Sequence, residues 1–298
     1  MMDNQDEPYT ARKAGREYIA GGFFMENKIK EYMAYLEREE RSEATRKQYY
    51  RDVITFFNYT KGEQLSKELI IRYKEMLQEK YRPASVNAKL AAINGFFSFM
   101  GASQLKVKQL KIQRKAFCPK ERELTKGEYL RLIRTAERKR DKKLALMIQT
   151  ICGTGIRVSE LCFITAEAVF AGEAAIQLKG KNRIILIAGK LKKALKSYLR
   201  QQGIVSGPIF ITRGGKPLDR SNIWRMMKSL CADAEVEPTK VFPHSLRKLF
   251  ARCFYAIDKD IAKLADILGH SNINTTRIYI ISTGTEHRRR IDALGLVI

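Results

Sequence analysis

The sequence predicts a mainly α-helical protein in two units, with a small β-hairpin in the second. Three observations predict it. Four helix-period segments follow one another between residues 24 and 103. One pair of apolar runs with strand character flanks Gly180-Lys181-Asn182. Between them, residues 104–120, "QLKVKQLKIQRKAFCPK", are basic, weakly periodic and end near Pro119, as a spacer does.

Taken in order, residues 1–23 lack helical periodicity and are expected as a disordered tail. The "GGFFM" stretch, whose codons can encode a purine-rich ribosome-binding sequence, makes Met25 the expected start of translation. A helical unit is expected over 24–103. In "NKIKEYMAYLEREE", Ile29, Met33 and Leu36 share a face. The second helix, "RSEATRKQYYRDVITFFNYTKG", has Ser42 as N-cap and Gly62 as stop. A third starts at Ser66, and a fourth, "ASVNAKLAAINGFFSFMG", ends at Gly101. The linker is expected over 104–120 and the second unit over 121–298. That unit opens with Thr125 and, three residues on, Glu128, the pattern of a capping box. The helix "KKLALMIQTICGTG" is expected to break at Gly153 and Gly155. The hairpin "AAIQLKGKNRIILIAG" follows, turning around Gly180-Lys181-Asn182, and the rest reads as mostly helical from "LKKALKSYLRQQ" onward.

Charge narrows the partner. Among 298 residues, 56 Lys+Arg stand against 32 Asp+Glu, a net charge of +24. Such an excess repels itself unless a polyanion neutralises it, and nucleic acid is the leading choice. The alternative is a merely basic, solvated surface. The polar faces of the first unit carry Arg46, Lys47, Arg51 and Lys89, the expected DNA-binding face. Five cysteines, an odd number with no Cys-x-x-Cys pair, point to reduced thiols rather than a disulfide framework or a zinc site. The chain holds no run of about 18 apolar residues, and the first 22 residues lack a signal peptide's apolar core. The bacterial cytoplasm or nucleoid is the expected location.

Four short stretches carry chemistry. In "GTGIRVSEL", Arg157 follows a double-glycine turn, with Glu160 placed to hold its head. The hairpin carries Lys179 and Lys181. In "PHSLRKLFA", His244 and Arg247 stand three apart on one helix face. In "LGHSNINTTRIY", His270 precedes Tyr279. Singly these are commonplace: a surface salt bridge, a basic turn, a core Tyr. Together, the order Arg157, Lys179, His244, Arg247, His270, Tyr279, with flanks "TGIRVSEL" and "LGHSNINTTRIY", resembles the tyrosine recombinase (phage integrase) family. Two of the chain's 3 histidines fall in motif positions.

The resemblance covers about 120–298, and the four-helix unit resembles the family's core DNA-binding domain. It implies a clamp on DNA formed by the two domains, and a catalytic set of the six residues above with Tyr279 as nucleophile. Such a set suits phosphodiester exchange. Guanidiniums grip the non-bridging oxygens as charge builds there. Cations gathered around a phenol favour its ionised form. Histidines move protons or hydrogen-bond the phosphate, and a lysine on the hairpin protonates the departing 5′ oxygen. A covalent 3′-phosphotyrosine results, needing neither ATP, metal nor cofactor. No Walker loop, His-Glu-x-x-His or two-metal carboxylate cluster is legible. The resemblance further implies a homotetramer on two short inverted-repeat sites of double-stranded DNA, joined through the C-terminal tail, with a directionality factor as a possible accessory.

Two departures stand out. The family's "GKGNKER" reads "LKGKNRI" here, which favours Lys179 as the catalytic lysine and leaves Lys181 as runner-up and DNA contact. Lys248 stands where His is common. No separate arm-binding domain is expected ahead of the helical unit. A non-catalytic DNA-binding protein of this fold and a type IB topoisomerase-like enzyme stay open as alternatives.

Overall fold

The computed structural model describes residues 22–112, 123–178, 181–280 and 292–295. Residues 1–21 of the expected tail, most of the C-terminal segment and the hairpin residues Lys179 and Gly180 therefore lie outside the described residues, while Gly22 and Phe23, expected in the tail, belong to the first helix. The chain divides into two units, 1–114 and 115–298.

The first unit contains α1 (Gly22–Arg38), α2 (Glu43–Thr60), α3 (Lys67–Lys80) and α4 (Pro83–Phe99). Local chemistry sets their starts. The Ser42 and Ser66 hydroxyls accept from the amides of Thr45 and Leu69, at 3.3 and 3.2 Å. Pro83 opens α4 at the first helical position, where its missing N–H costs nothing. Ile29, Tyr32 and Leu36 are the buried face of α1, while Met33, expected among them, packs only at its edge. The core is aromatic: Phe56 meets Tyr73 and Phe97 edge-on, with centroids 5.1 and 5.8 Å apart.

The stretch expected to begin the linker is bound to this unit. The Asn94 amide donates to the Val107 carbonyl at 2.9 Å and accepts from its N–H at 3.1 Å. Asn87, seven residues earlier on the same face of α4, does the same for Leu110, at 2.9 and 2.8 Å. The two side-chain amides act as a strand partner for an extended segment, and Val107 is buried. This is a reason in hydrogen bonding for a weakly periodic, basic stretch to be ordered as far as Leu110.

The second unit contains α5 (Lys126–Arg138), α6 (Lys142–Thr154), α7 (Ala166–Ala171), β1 (Glu173–Leu178), β2 (Lys181–Leu186), α8 (Gly189–Gln202), α9 (Arg220–Lys228), α10 (Pro243–Asp258), α11 (Ile261–Leu268) and α12 (Ile273–Ile280). The capping box of α5 is made: the Thr125 N–H donates to Glu128 at 2.7 Å, and the Glu128 N–H to Thr125 at 3.2 Å. Helix α6 runs through Gly153 and stops at Gly155, whose φ of +64° closes it in the left-handed region. Only one of the two expected breakers breaks it.

The hairpin turns one residue earlier than expected. Leu178 pairs with Lys181, leaving Lys179–Gly180 as the connection, and Lys181 and Asn182 belong to the strand. Burial explains the register. Ala174 and Ile176 of β1 face inward with Ile185 and Arg183 of β2, and a one-residue slip would turn Ile185 to solvent. The stretch after α8 also departs from expectation. Residues 204–219 are irregular, with bridges Thr165–Pro208 and Ile211–Pro217, because Gly207, Pro208, Gly214, Gly215 and Pro217 cannot sustain a helix. Among the described residues, no helix is long and apolar enough to cross a membrane.

Candidate active site

Of the sequence-predicted residues, Arg157, His244, Arg247, His270 and Tyr279 come together in the second unit. Two glycine-capped turns and two helices bring them there. Gly155 ends α6 so tightly against α10 that a Cβ would lie 2.5 Å from Phe250 Cδ1. This glycine cap sends Arg157 toward α10, which carries His244 and Arg247 in its first two turns. Gly269, φ +62°, closes α11 and delivers His270, and α12 returns Tyr279.

Arg157 is the half-exposed member, with its side chain 38% accessible. Its Nη1 donates to Glu160 Oε1 at 2.8 Å, its backbone N–H to Glu160 Oε2 at 2.9 Å, and its Nη2 to the Gly269 carbonyl at 3.0 Å. Glu160, 3% exposed, is held below the usual carboxylate range: burial opposes ionisation, but the Arg157 N–H and guanidinium and the Arg183 guanidinium outweigh it.

Arg247 is 2% exposed, a guanidinium in the core. It donates to the carbonyls of Gly155 and of Leu268, the latter at 2.6 Å, and to His270 Nε2 at 2.9 Å. Burial, then the like charge of Arg157, pushes it down to about 10, which leaves it charged near neutrality. His270 Nδ1 bonds the buried Thr276 hydroxyl at 2.9 Å. Arg247 has only donors, so Nε2 accepts and Nδ1 carries the proton. Burial first, then Arg247, Arg157, Arg183 and His244, pushes His270 down to about 4. His244 is lowered too, by burial and then by Lys248, Arg247, Arg220 and Arg157. Tyr279, 5% exposed, stands edge-on between the two imidazoles, 5.0 Å from His244 and 5.2 Å from His270.

Arg157 separates two openings. A cleft of 840 Å³ runs past Glu160, Arg183 and His270, and one of 450 Å³ past His244, Arg247, Arg220 and Trp224. An anionic oxygen entering either meets cations and neutral imidazoles.

Lys179 lies outside the described residues. Lys181 is described in backbone only, at the first pair of β2. In the first unit, Lys47 is exposed and pairs with Glu43 at 2.6 Å, and Arg51 is exposed and donates to Gln48 at 2.7 Å. Arg46 pairs with Glu37. Lys89 instead turns inward, 2.8 Å from Asp52, a carboxylate only 2% exposed that also accepts from Gln48 at 2.7 Å. Two site residues escaped the sequence reading. Thr276 holds His270, and Arg183 bonds Glu160 from the hairpin. Among the described residues, no group of three His, Cys, Asp or Glu is placed to hold a metal ion.

Comparison with known proteins identifies the family. The model of the phage integrase family matches residues 122–286, and that of the phage integrase N-terminal SAM-like domain matches 29–104. Tyrosine recombinase XerA of Thermococcus kodakarensis is 30% identical over 274 residues, covering 88% of this chain and 93% of the relative. A crystal structure of XerA recombinase, 25% identical, matches with a TM-score of 0.52 over 92% of this chain and 100% of the other. The fold also matches XerH site-specific recombinase bound to its difH substrate, with a TM-score of 0.66 at 20% identity over 91% and 89% of the two chains.

Proposed function

Because this chain belongs to the phage integrase family of tyrosine recombinases, we propose that it recombines DNA by strand cleavage and rejoining through Tyr279. Site-specific DNA recombination is its activity, and it acts as a tyrosine recombinase. The single observation that carries the mechanism is the Tyr279 phenol between His244 and His270, beside the buried Arg247.

In this reading, Arg157 and Arg247 hold the non-bridging oxygens of the scissile phosphate and stabilise the charge that builds there. Tyr279 attacks phosphorus and the 5′ oxygen departs. His244, whose depressed basicity keeps it neutral near pH 7, accepts the phenol proton. Lys179, or Lys181 as second choice, gives a proton to the leaving oxygen. The phosphotyrosine keeps the energy of the broken bond, so a 5′ hydroxyl from another strand reverses the step. His270 reaches the phosphate only by releasing Arg247 and taking a proton on Nε2, because that nitrogen is occupied as an acceptor and a phosphate oxygen must receive a donor. The reading needs no metal or cofactor.

The finer proposal is a cytoplasmic enzyme of a mobile element. It acts as a homotetramer on two inverted-repeat sites, linked through residues 285–298, most of which lie outside the described residues. Leu294, among the residues described there, is exposed. A directionality factor would choose between integration and excision.

The test starts with a duplex recovered from random sequence by binding to the full-length protein. Nicked near its cleavage position, it traps the covalent complex. The intact protein should give a protein–DNA band on a denaturing gel, without added metal. Tyr279→Phe should bind the duplex and give none. A covalent band from Tyr279→Phe would overturn the nucleophile. Binding with no band from the intact protein would favour a non-catalytic DNA-binding protein.

A further inference from the structure

Helix α11 ends in an unusual crowd. Its last two carbonyls and that of its Gly269 cap each accept from a different guanidinium: Ile267 from Arg183 at 2.9 Å, Leu268 from Arg247 at 2.6 Å and Gly269 from Arg157 at 3.0 Å. The partial negative charge of a helix C-terminus offsets the repulsion of cations gathered around it. Two of the three arginines are already assigned to the phosphate. The third, Arg183, has no part in that assignment. It comes from the inward face of β2, opposite Ile176, where an aliphatic side chain would be expected.

Its contacts are those that aim Arg157. Glu160 is one of the two groups that hold the Arg157 guanidinium, and Arg183 bonds the same carboxylate on Oε2. The Gly269 carbonyl is the other, and Arg183 fixes the chain two residues earlier at Ile267. Its aliphatic stem lies under Gly269 so closely that a Cβ there would sit 2.6 Å from Arg183 Cδ. Arg183 is 11% exposed where Arg157 is 38%. Both line the cleft of 840 Å³, and Arg183 is the more deeply seated of the two.

We propose that Arg183 is a positioning residue for strand cleavage, bracing Glu160 and the carbonyl end of α11 so that Arg157 is held toward the scissile phosphate. The proposal rests on Arg157 being a phosphate ligand. Without Arg183, Glu160 keeps one cation instead of two, and the Gly269 turn loses the stem beneath it. Arg157 then samples orientations away from the non-bridging oxygen, and its effect on developing charge is lost while DNA affinity is not.

Full-length protein, Arg183→Gln and Arg183→Lys are compared on the nicked duplex selected above. One form carries an ordinary scissile phosphate, and the other a methylphosphonate, in which a neutral methyl replaces one charged oxygen. A misaimed phosphate ligand costs on the order of 100-fold in cleavage of the ordinary phosphate for Arg183→Gln, with binding changed less than about 3-fold. On the methylphosphonate, which has less charge to neutralise, the loss should shrink to about 3-fold. Arg183→Lys, which keeps the charge but not the fork, should fall between. It also serves if Arg183→Gln does not fold, since its own loss must likewise be confined to the ordinary phosphate. Equal losses on both duplexes, or cleavage of the ordinary one within about 3-fold of the unaltered protein, would overturn the proposal. An unaltered protein that forms no covalent complex would bring down the recombinase mechanism itself, a different outcome read in the same gel.

Discussion

His270 is engaged on both ring nitrogens, by Arg247 and by Thr276. Being held down to about 4, it is neutral across the physiological range. The unfolded chain returns it to an ordinary imidazole of about 6.5. Between those values the unfolded state binds more protons than the folded one. Stability therefore rises with pH through this window and is lost on acidification from 6.5 toward 4. His244, lowered in the same direction, adds to the trend. His270→Asn removes the titration while leaving an amide to meet Arg247. Melting temperature should fall less steeply for this variant than for the unaltered protein between pH 6.5 and 4. Parallel pH profiles would show that His270 is not held neutral. At this scale the sequence was informative wherever a residue type is scarce or flanked by a motif, as for Arg157, His244, Arg247, His270 and Tyr279. Arg183 was missed because one basic residue among the lysines of a hairpin carries no signal until the register is known.

Element starts and stops were legible where the chemistry is local. Ser42, Ser66 and Thr125 cap the helices that follow them because each needs only an amide two or three residues away. What depends on a distant partner was not legible. Nothing near Asn87 and Asn94 announces that they hold Val107 and Leu110, and nothing in "CGTG" says which glycine stops α6. The structure distinguishes those two glycines. Gly153 is helical, and a Cβ there would meet Leu191 Cδ2 at an ordinary 3.6 Å. Gly155 combines φ +64° with a Cβ position 2.5 Å from Phe250. Gly153→Ala should stabilise the protein by up to about 1 kcal/mol through helix propensity. Gly155→Ala should destabilise it by about 3 kcal/mol, from overpacking and a strained backbone together. It should also slow cleavage beyond the loss of folded protein, because the Gly155 carbonyl anchors Arg247. Urea denaturation of the two variants measures the difference. Equal midpoints would refute the left-handed cap as the determinant of this turn.

For the whole molecule, a net charge of +24 is too large to be resolved into pairs, and most of it has to be met by something outside the chain. DNA supplies that charge through its phosphates, and each phosphate neutralised releases condensed counterions. The four basic residues singled out on the helical unit are not equivalent carriers of this effect. Lys47 and Arg51 are exposed, and their partners, Glu43 and Gln48, lie on the same helix turn. Contacts this exposed are weak and screened by solvent, so a phosphate displaces them readily. Lys89 neutralises a nearly inaccessible Asp52, and removing one partner of such a pair leaves a buried charge. A salt titration separates the two behaviours. Affinity for the selected duplex, measured by fluorescence anisotropy over a range of KCl concentrations, should fall linearly on logarithmic axes. Lys47→Ala and Arg51→Ala should each flatten that slope by about 0.9, the value for one phosphate, without moving the melting temperature. Lys89→Ala should do the reverse, lowering stability by roughly 2 kcal/mol or more and leaving the slope of the folded fraction nearly unchanged. If Lys47→Ala and Arg51→Ala both keep the full slope, this helical face does not lie on the DNA backbone, and the charge that meets the phosphates sits elsewhere on the chain.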